Sequence, residues 1–247
     1  MKRILKYLGL FLLGLIILAV IAGWSAHQPL PTGESGPAAD ALARKMETAV
    51  NKMAWDSTRF VSWRFISGTT YLWDKDRQAV LVEWGDNKVL LRTDDQSGKV
   101  FVSGVEVTDQ AEKEKLLQKA WAQFANDSFW LCAPMKAFNP GTTREIVELE
   151  DGRQGLLVRY SSGGVTPGDS YLWHLKEDGL PEAWQMWVQI IPIGGLKFTW
   201  EDWTSAPQPR IAQQHGGSLL DVPIADLEFP DLSASDNPLS PLWRSSN

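Results

Sequence analysis

The chain has 247 residues, 44% hydrophobic and 22% charged, with 24 basic and 30 acidic side chains and a formal net charge of −6. These are globular proportions in a chain long enough for a full-sized core, and the acidic balance excludes nucleic acid as a partner and electrostatic docking on anionic lipid heads. The only cysteine, Cys132, leaves no intramolecular disulfide, so stability must come from the core, while 13 tryptophans against four tyrosines is an unusual share of large amphipathic rings.

Lys2, Arg3 and Lys6 precede LGLFLLGLIILAVIAGW, Leu8 to Trp24, 17 residues without a charge. That length fits a short membrane span or the apolar core of a secretory signal, and the basic residues on its N-terminal side place the rest of the chain outside the cytoplasm. Residues 1–24 read as a retained signal anchor, with residues 4–24 in the membrane. Cleavage stays the alternative, because Gly23-Trp24-Ser25 and Val20-Ile21-Ala22 have small residues at the inspected positions without forming A-x-A. Beyond residue 24 there are 21 basic against 30 acidic residues, a formal charge of −9.

Residues 25–36, rich in Pro, Gly and Ser, read as a linker, and 37–229 as the folded domain. Ser35 and Pro37 signal a helix start, followed by Leu42, Met46, Ala49, Val50 and Met53 at helical spacing. From Thr58 the period becomes two, and TRFVSWRF, TTYLW, AVLVEW, KVLLRT and KVFVS predict a five-strand meander. A second helix is expected from about Gln110 to Ala125, with Asp109 and Glu112 as a capping box. NDSFWLCAPMKAFNPGT reads as an irregular connection. Strands resume with REIVELE, GLLVRYSS, DSYLWHL, AWQMWVQII and LKFTWEDW, and further ones are expected near Ile211 and Ile224. Residues 230–247 read as a flexible C-terminal tail from which Leu242-Trp243 could dock back.

Two features cut across this order. Gly163 to Ser170, GGVTPGDS, has the spacing of a phosphate-cradling loop with aspartate in place of lysine. Asp169 reverses the required charge, Pro167 removes a donor, and SYLWHL continues as a strand rather than a helix, so the segment reads as a tight turn between strands. Second, Gly68-Thr-Thr-Tyr71-Leu-Trp73 with Trp84 is echoed 100 residues later by Gly168-Asp-Ser-Tyr171-Leu-Trp173 with Trp184, which predicts a similar hairpin in each half. With an amphipathic helix opening each half, the fold expected is mainly β (α+β): a large antiparallel sheet with two or more helices against one face.

A membrane-targeted N-terminus, then helix, strands, a helical interruption and more strands, together with NDSFWL, SGGVTPGDSYLW and MWVQIIPIGG, resembles the outer-membrane lipoprotein carrier superfamily (LolA/LolB-like), by way of an uncharacterised bacterial envelope family. The resemblance covers residues 36–229 and rests on topology. It implies a half-barrel whose concave face, partly closed by helices, holds acyl chains, in a domain facing the periplasm from the inner membrane. It transfers no individual functional residue.

Parity along the strands gathers Trp63, Tyr71, Trp73, Trp84, Tyr171, Trp173, Trp184, Met186 and Trp200 on inward faces. They line either a cavity for a lipid or another apolar ligand, or a plain core beneath the helices. The expected function is a non-enzymatic binder of such a ligand, with no catalytic residue, metal or cofactor, since His27, His174 and His215 have no metal-ligand spacing. Ser170, His174 and Asp169 have the residue types of a hydrolytic triad without its geometry, because on one strand Ser170 and His174 stand roughly 13 Å apart. Two alternatives remain: an extracytoplasmic carbohydrate-active hydrolase using Glu83 and Glu201 beside tryptophan platforms, and a structural subunit whose tryptophans meet an envelope protein partner.

Overall fold

A computed structural model describes residues 27–243 together with Tyr7, Gly14 and Gly23. The expected anchor over 1–24 otherwise lies outside the described residues, and no helix among the described residues is long and apolar enough to cross a membrane. In chain order the elements are β1 (Glu34–Ser35), α1 (Pro37–Ala49), α2 (Lys52–Ser57), β2 (Phe60–Phe65), β3 (Thr70–Asp74), β4 (Ala79–Trp84), β5 (Asn87–Arg92), β6 (Gly98–Val102), β7 (Val105–Glu106), α3 (Gln110–Cys132), a 3₁₀ turn (Ala133–Lys136), β8 (Thr142–Glu148), β9 (Gln154–Tyr160), β10 (Ser170–Leu175), β11 (Pro181–Trp187), β12 (Leu196–Thr199), β13 (Glu201–Trp203), β14 (Ala212–His215), β15 (Val222–Glu228) and a 3₁₀ turn at Ser240–Leu242.

The fold is mainly β, of the α+β class. The expected meander is β2 to β6, each strand antiparallel to the next. Where one continuous sheet was expected, hydrogen bonding gives two, of six strands (β1-β8-β9-β10-β11-β12) and nine (β13-β14-β15-β2-β3-β4-β5-β6-β7), neither closed into a barrel. The division falls inside LKFTWEDW. Residues before Trp200 pair with β11 and those after it with β14, and Asp202 takes a left-handed conformation at φ 53° that redirects the chain. The sheets still touch there, with Thr199 N–H donating to Gly216 O at 2.9 Å.

The helices close one face of each sheet. Leu117, Ala120, Phe124 and Leu131 of α3 pack with Val61, Trp63, Val82 and Leu91 of the nine-stranded sheet, whereas Ala43 and Met46 of α1 and Ala133 after α3 pack on Leu156, Trp173 and Trp184 of the six-stranded one. Asp109 caps α3, its carboxylate accepting the Glu112 N–H at 2.9 Å. The helix continues seven residues past the expected end at Ala125, because Ser128, Leu131 and Cys132 extend its buried face, and Pro134 then sets the first turn of a 3₁₀ segment. The first expected helix breaks at Asn51, in the left-handed conformation at φ 54°; Met53, expected on its apolar face, is therefore turned out and 83% exposed.

Three other expectations are corrected. Residues 27–36 are not a free linker, since the Arg159 guanidinium donates to Pro31 O at 2.9 Å, Gly33 N–H donates to the Glu145 carboxylate at 3.0 Å, and β1 pairs with β8. In the tail Leu239 is fully buried against Ala79, Leu81 and Leu90 on the opposite face of the nine-stranded sheet, and Asn237 Nδ2 donates to the buried Asp74 carboxylate at 3.1 Å. That face is apolar on β4 and β5, so it too needs a cover. The two echoed hairpins also differ in register: Trp173 stands opposite Trp184, but Trp73 stands opposite Val80 and Trp84 opposite Asn87. The second hairpin turns through five residues with a bulge at His174/Leu175, the first through four without one, so identical spacing gives different partners.

Candidate functional site

A cavity of about 570 Å³ opens beside α3. One wall is α3 itself, through Trp121, Phe124, Ala125, Ser128 and Phe129. The facing wall is the six-stranded sheet, through Tyr160, Tyr171, Trp184 and Met186, and the rim is built from residues 163–166 and from Ile190 and Ile191. The wall is aromatic because parity on β9, β10 and β11 puts these residues on the helix side. Phe129 stacks at 5.9 Å on Trp184 and stands 4.8 Å from Tyr171 between ring centroids, which locks helix and sheet together at the floor of the hollow.

The nine residues expected to line a site separate into three groups. Trp73, Tyr171, Trp184 and Met186 line the cavity. Trp63, Tyr71, Trp173 and Trp200 are packed in the clusters behind it: Trp63 stacks on Tyr71 at 4.6 Å, and Trp200 meets Trp173 edge-on at 5.0 Å. Trp84, displaced by its register, lies beneath the Lys119 ammonium, 5.1 Å from the ring centroid. Cavity and filled core are therefore both present.

The polar groups of the site were less legible. The buried Asp169 carboxylate accepts from the Thr166 hydroxyl at 2.5 Å, from the Gln189 N–H at 2.9 Å and from the Tyr171 hydroxyl at 3.4 Å, so it joins the β9–β10 and β11–β12 loops around the rim. Gly168, at φ 105°, supplies the backbone freedom of that turn, and β10 follows it directly, which leaves no helix N-terminus for a phosphate. Lys136 lines the cavity, its ammonium 5.6 Å from the Phe129 ring and without a carboxylate partner among the described residues. The Tyr160 hydroxyl is shielded from solvent without a protein partner, and burial pushes its pKa upward. Lys136 was missed because it lies in the run read as an irregular connection; its signal was a lone cation amid FWLCAPMKAF.

No protein-family model matches the chain, and no curated protein is detectably similar to it.

The enzymatic pairings do not come together. Glu83 on β4 is 3.7 Å from Lys88, while Glu201 on β13 lies five strands away in the sheet order, about 24 Å at the usual strand spacing. A glycosidase pair needs its carboxyls within roughly 10 Å. His174 faces Gln185, its Nε2 3.0 Å from the amide oxygen, and burial lowers its pKa. Among the described residues no group of three or more His, Cys, Asp and Glu side chains is arranged to hold a metal. His215 is fully buried between Trp130 and Trp200, with ring centroids 5.4 and 4.3 Å away, and burial pushes its pKa down to about 4.

Proposed function

We propose that this domain is a non-enzymatic binding protein for an acyl-chain or similarly elongated apolar ligand, held outside the cytoplasm by residues 4–24. The observation that carries the reading is the unfilled hollow between α3 and the six-stranded sheet. At about 570 Å³ it lies within the range of small-molecule sites, roughly 300–1,000 Å³, and its walls are aromatic and thioether surface. Burying a methylene there gains about 0.8 kcal/mol, so a chain of eight or more carbons would bind usefully even after the loss of its own freedom. Lys136 offers a cation for a ligand head, and an anionic head suits it best. The resemblance to the lipoprotein carrier superfamily leads to the same ligand class. A tryptophan-mediated envelope interface is less favoured, since no tryptophan among the described residues is exposed.

The test is extraction of the purified domain beginning at His27 followed by mass spectrometry. Residues 27–243 contain all four apolar clusters of the described chain, so this piece keeps the core. A co-purifying lipid near equimolar amount, displaced by added fatty acid, is the expected result. A clean extract combined with no fatty-acid binding below micelle-forming concentrations would overturn the reading.

A further inference from the structure

The two loops at the cavity mouth carry no charge, a property they share with residues 211–220, whose Leu219 and Leu220 are also exposed. Residues 161–168 (SSGGVTPG) and 188–195 (VQIIPIGG) contain no charged side chain over sixteen positions, in a chain where 22% of residues are charged. Their apolar tips point outward: Val165 is 47% exposed and Ile190 71%. The Asp169–Gln189 hydrogen bond ties one loop to the other, so the lip is a single edge.

The path of the N-terminal chain shows what lies next to that edge. Gln28 N–H donates to Gly194 O at 3.0 Å, Gly194 N–H donates to His27 Nδ1 at 3.0 Å, and Trp187 Nε1–H donates to Gln28 O at 2.8 Å. Gly23 also lies against this loop, where a Cβ would stand 3.6 Å from Ile193 Cδ1. From Gln28 onward the chain is fixed across a face of the six-stranded sheet, bonded in turn to Trp187 on β11, Arg159 on β9 and Glu145 on β8. Only residues 25 and 26 separate the apolar run Leu8–Trp24 from His27, which is bonded to the lip, and the step from Trp24 to His27 spans at most roughly 11 Å when extended.

We propose that the lip carrying Val165 and Ile190 docks on the lipid bilayer that holds the N-terminal segment, so that the cavity mouth opens onto the membrane. The proposal rests on residues 4–24 being a membrane anchor. An uncharged edge enters the headgroup region without stripping water from an ion, whereas the domain beyond residue 24, at −9, is repelled by anionic heads elsewhere on its surface. The short tether makes the encounter intramolecular, so two exposed apolar side chains suffice where free association would need many. An acyl ligand then passes between bilayer and cavity without crossing open water.

The test uses the full chain in phosphatidylcholine–phosphatidylglycerol vesicles, with an environment-sensitive fluorophore on Val165→Cys, Ile190→Cys or Glu177→Cys. Glu177 lies in the turn after β10, at the far end of that strand from the lip, and the natural Cys132 is buried. Emission from positions 165 and 190 is expected to shift to the blue and to be quenched several-fold more than emission from 177 by lipids with a nitroxide near the headgroup. Charging the lip with Val165→Asp and Ile190→Asp should abolish that quenching for a label on Gln189→Cys. Equal, weak quenching at all positions of a chain that floats with the vesicles overturns the docking and leaves the anchor standing, as does quenching at 189 unchanged by the charged lip. A chain that fails to float removes anchor and docking together. Ligand binding by the soluble domain is measured separately and is touched by neither outcome.

Discussion

Trp173 and Trp184 stand directly opposite each other on neighbouring strands, ring centroids 5.1 Å apart, yet only Trp184 reaches the cavity. Trp173 is fully enclosed by it and by Trp200, whereas Trp73, the echo of Trp173, has one edge on the hollow. Trp173→Ala should therefore carry the full cost of a truncated core aromatic, about 3–5 kcal/mol, and Trp73→Ala less. Urea melts measure both. In a fluorescent fatty-acid titration Trp73→Ala should weaken binding by about 1 kcal/mol, and outward-facing Trp187→Ala should leave it unchanged.

Lys136→Gln separates head recognition from chain burial. Fatty-acid affinity should fall by roughly 1 kcal/mol, less than for a fully buried charge-assisted bond because the group is partly hydrated, while affinity for the matching fatty alcohol should be unaltered. Equal losses for acid and alcohol would show that Lys136 acts through packing.

Asp169→Ala removes the acceptor shared by Thr166, Tyr171 and Gln189, and leaves a backbone donor without its partner. The expected cost is about 1–3 kcal/mol. Amide hydrogen exchange should accelerate at Gln189 and in the β9–β10 loop but not in β2 to β6, a pattern that a general loss of stability would not produce.

His215 makes stability depend on pH. Its pKa is pushed down to about 4 by burial, against 6.5 for the ordinary side chain, so the folded state binds fewer protons than the unfolded one. Stability from this group is complete above pH 6.5 and is lost as pH falls toward 4, by roughly 3 kcal/mol in all. The buried Asp127 carboxyl, its pKa raised by burial, works in the opposite direction. The comparison is therefore with His215→Leu, which should show a shallower decline between pH 6.5 and 4. At pH 7 the same variant should cost little, because the ring gives up no more than a weak contact with the Thr199 backbone.

Leu239→Ala should destabilise the domain by about 2–4 kcal/mol while leaving ligand affinity unchanged, since Leu239 fills the face of the nine-stranded sheet turned away from α3. Differential scanning calorimetry paired with the fatty-acid titration checks both halves.

The strands of this protein could be read from its residues because runs such as FVSWRF, YLW and AVLVEW favour strands and are set off by turn signals, alternation in FVSWRF states directly which side chains face inward, and Asp109 with Glu112 marks a helix start in the same local terms. Tryptophan enrichment likewise announced an aromatic interior. What lay beyond reach were relations between distant segments. Whether Trp84 would meet Trp73 depended on a turn that begins one residue earlier and is one residue shorter than that of the second hairpin and on the absence of a bulge, and the resulting displacement, being even, exchanges the cross-strand partners while leaving parity untouched. Asp169 looked like a charge in a turn, and only the approach of the 188–195 loop made it the knot of the cavity rim. The hollow itself is a volume left over between α3 and the six-stranded sheet. Local pattern determines which residues turn inward, but how far apart two packed layers come to rest is set by the side chains of both at once, and that distance exists only in the assembled fold.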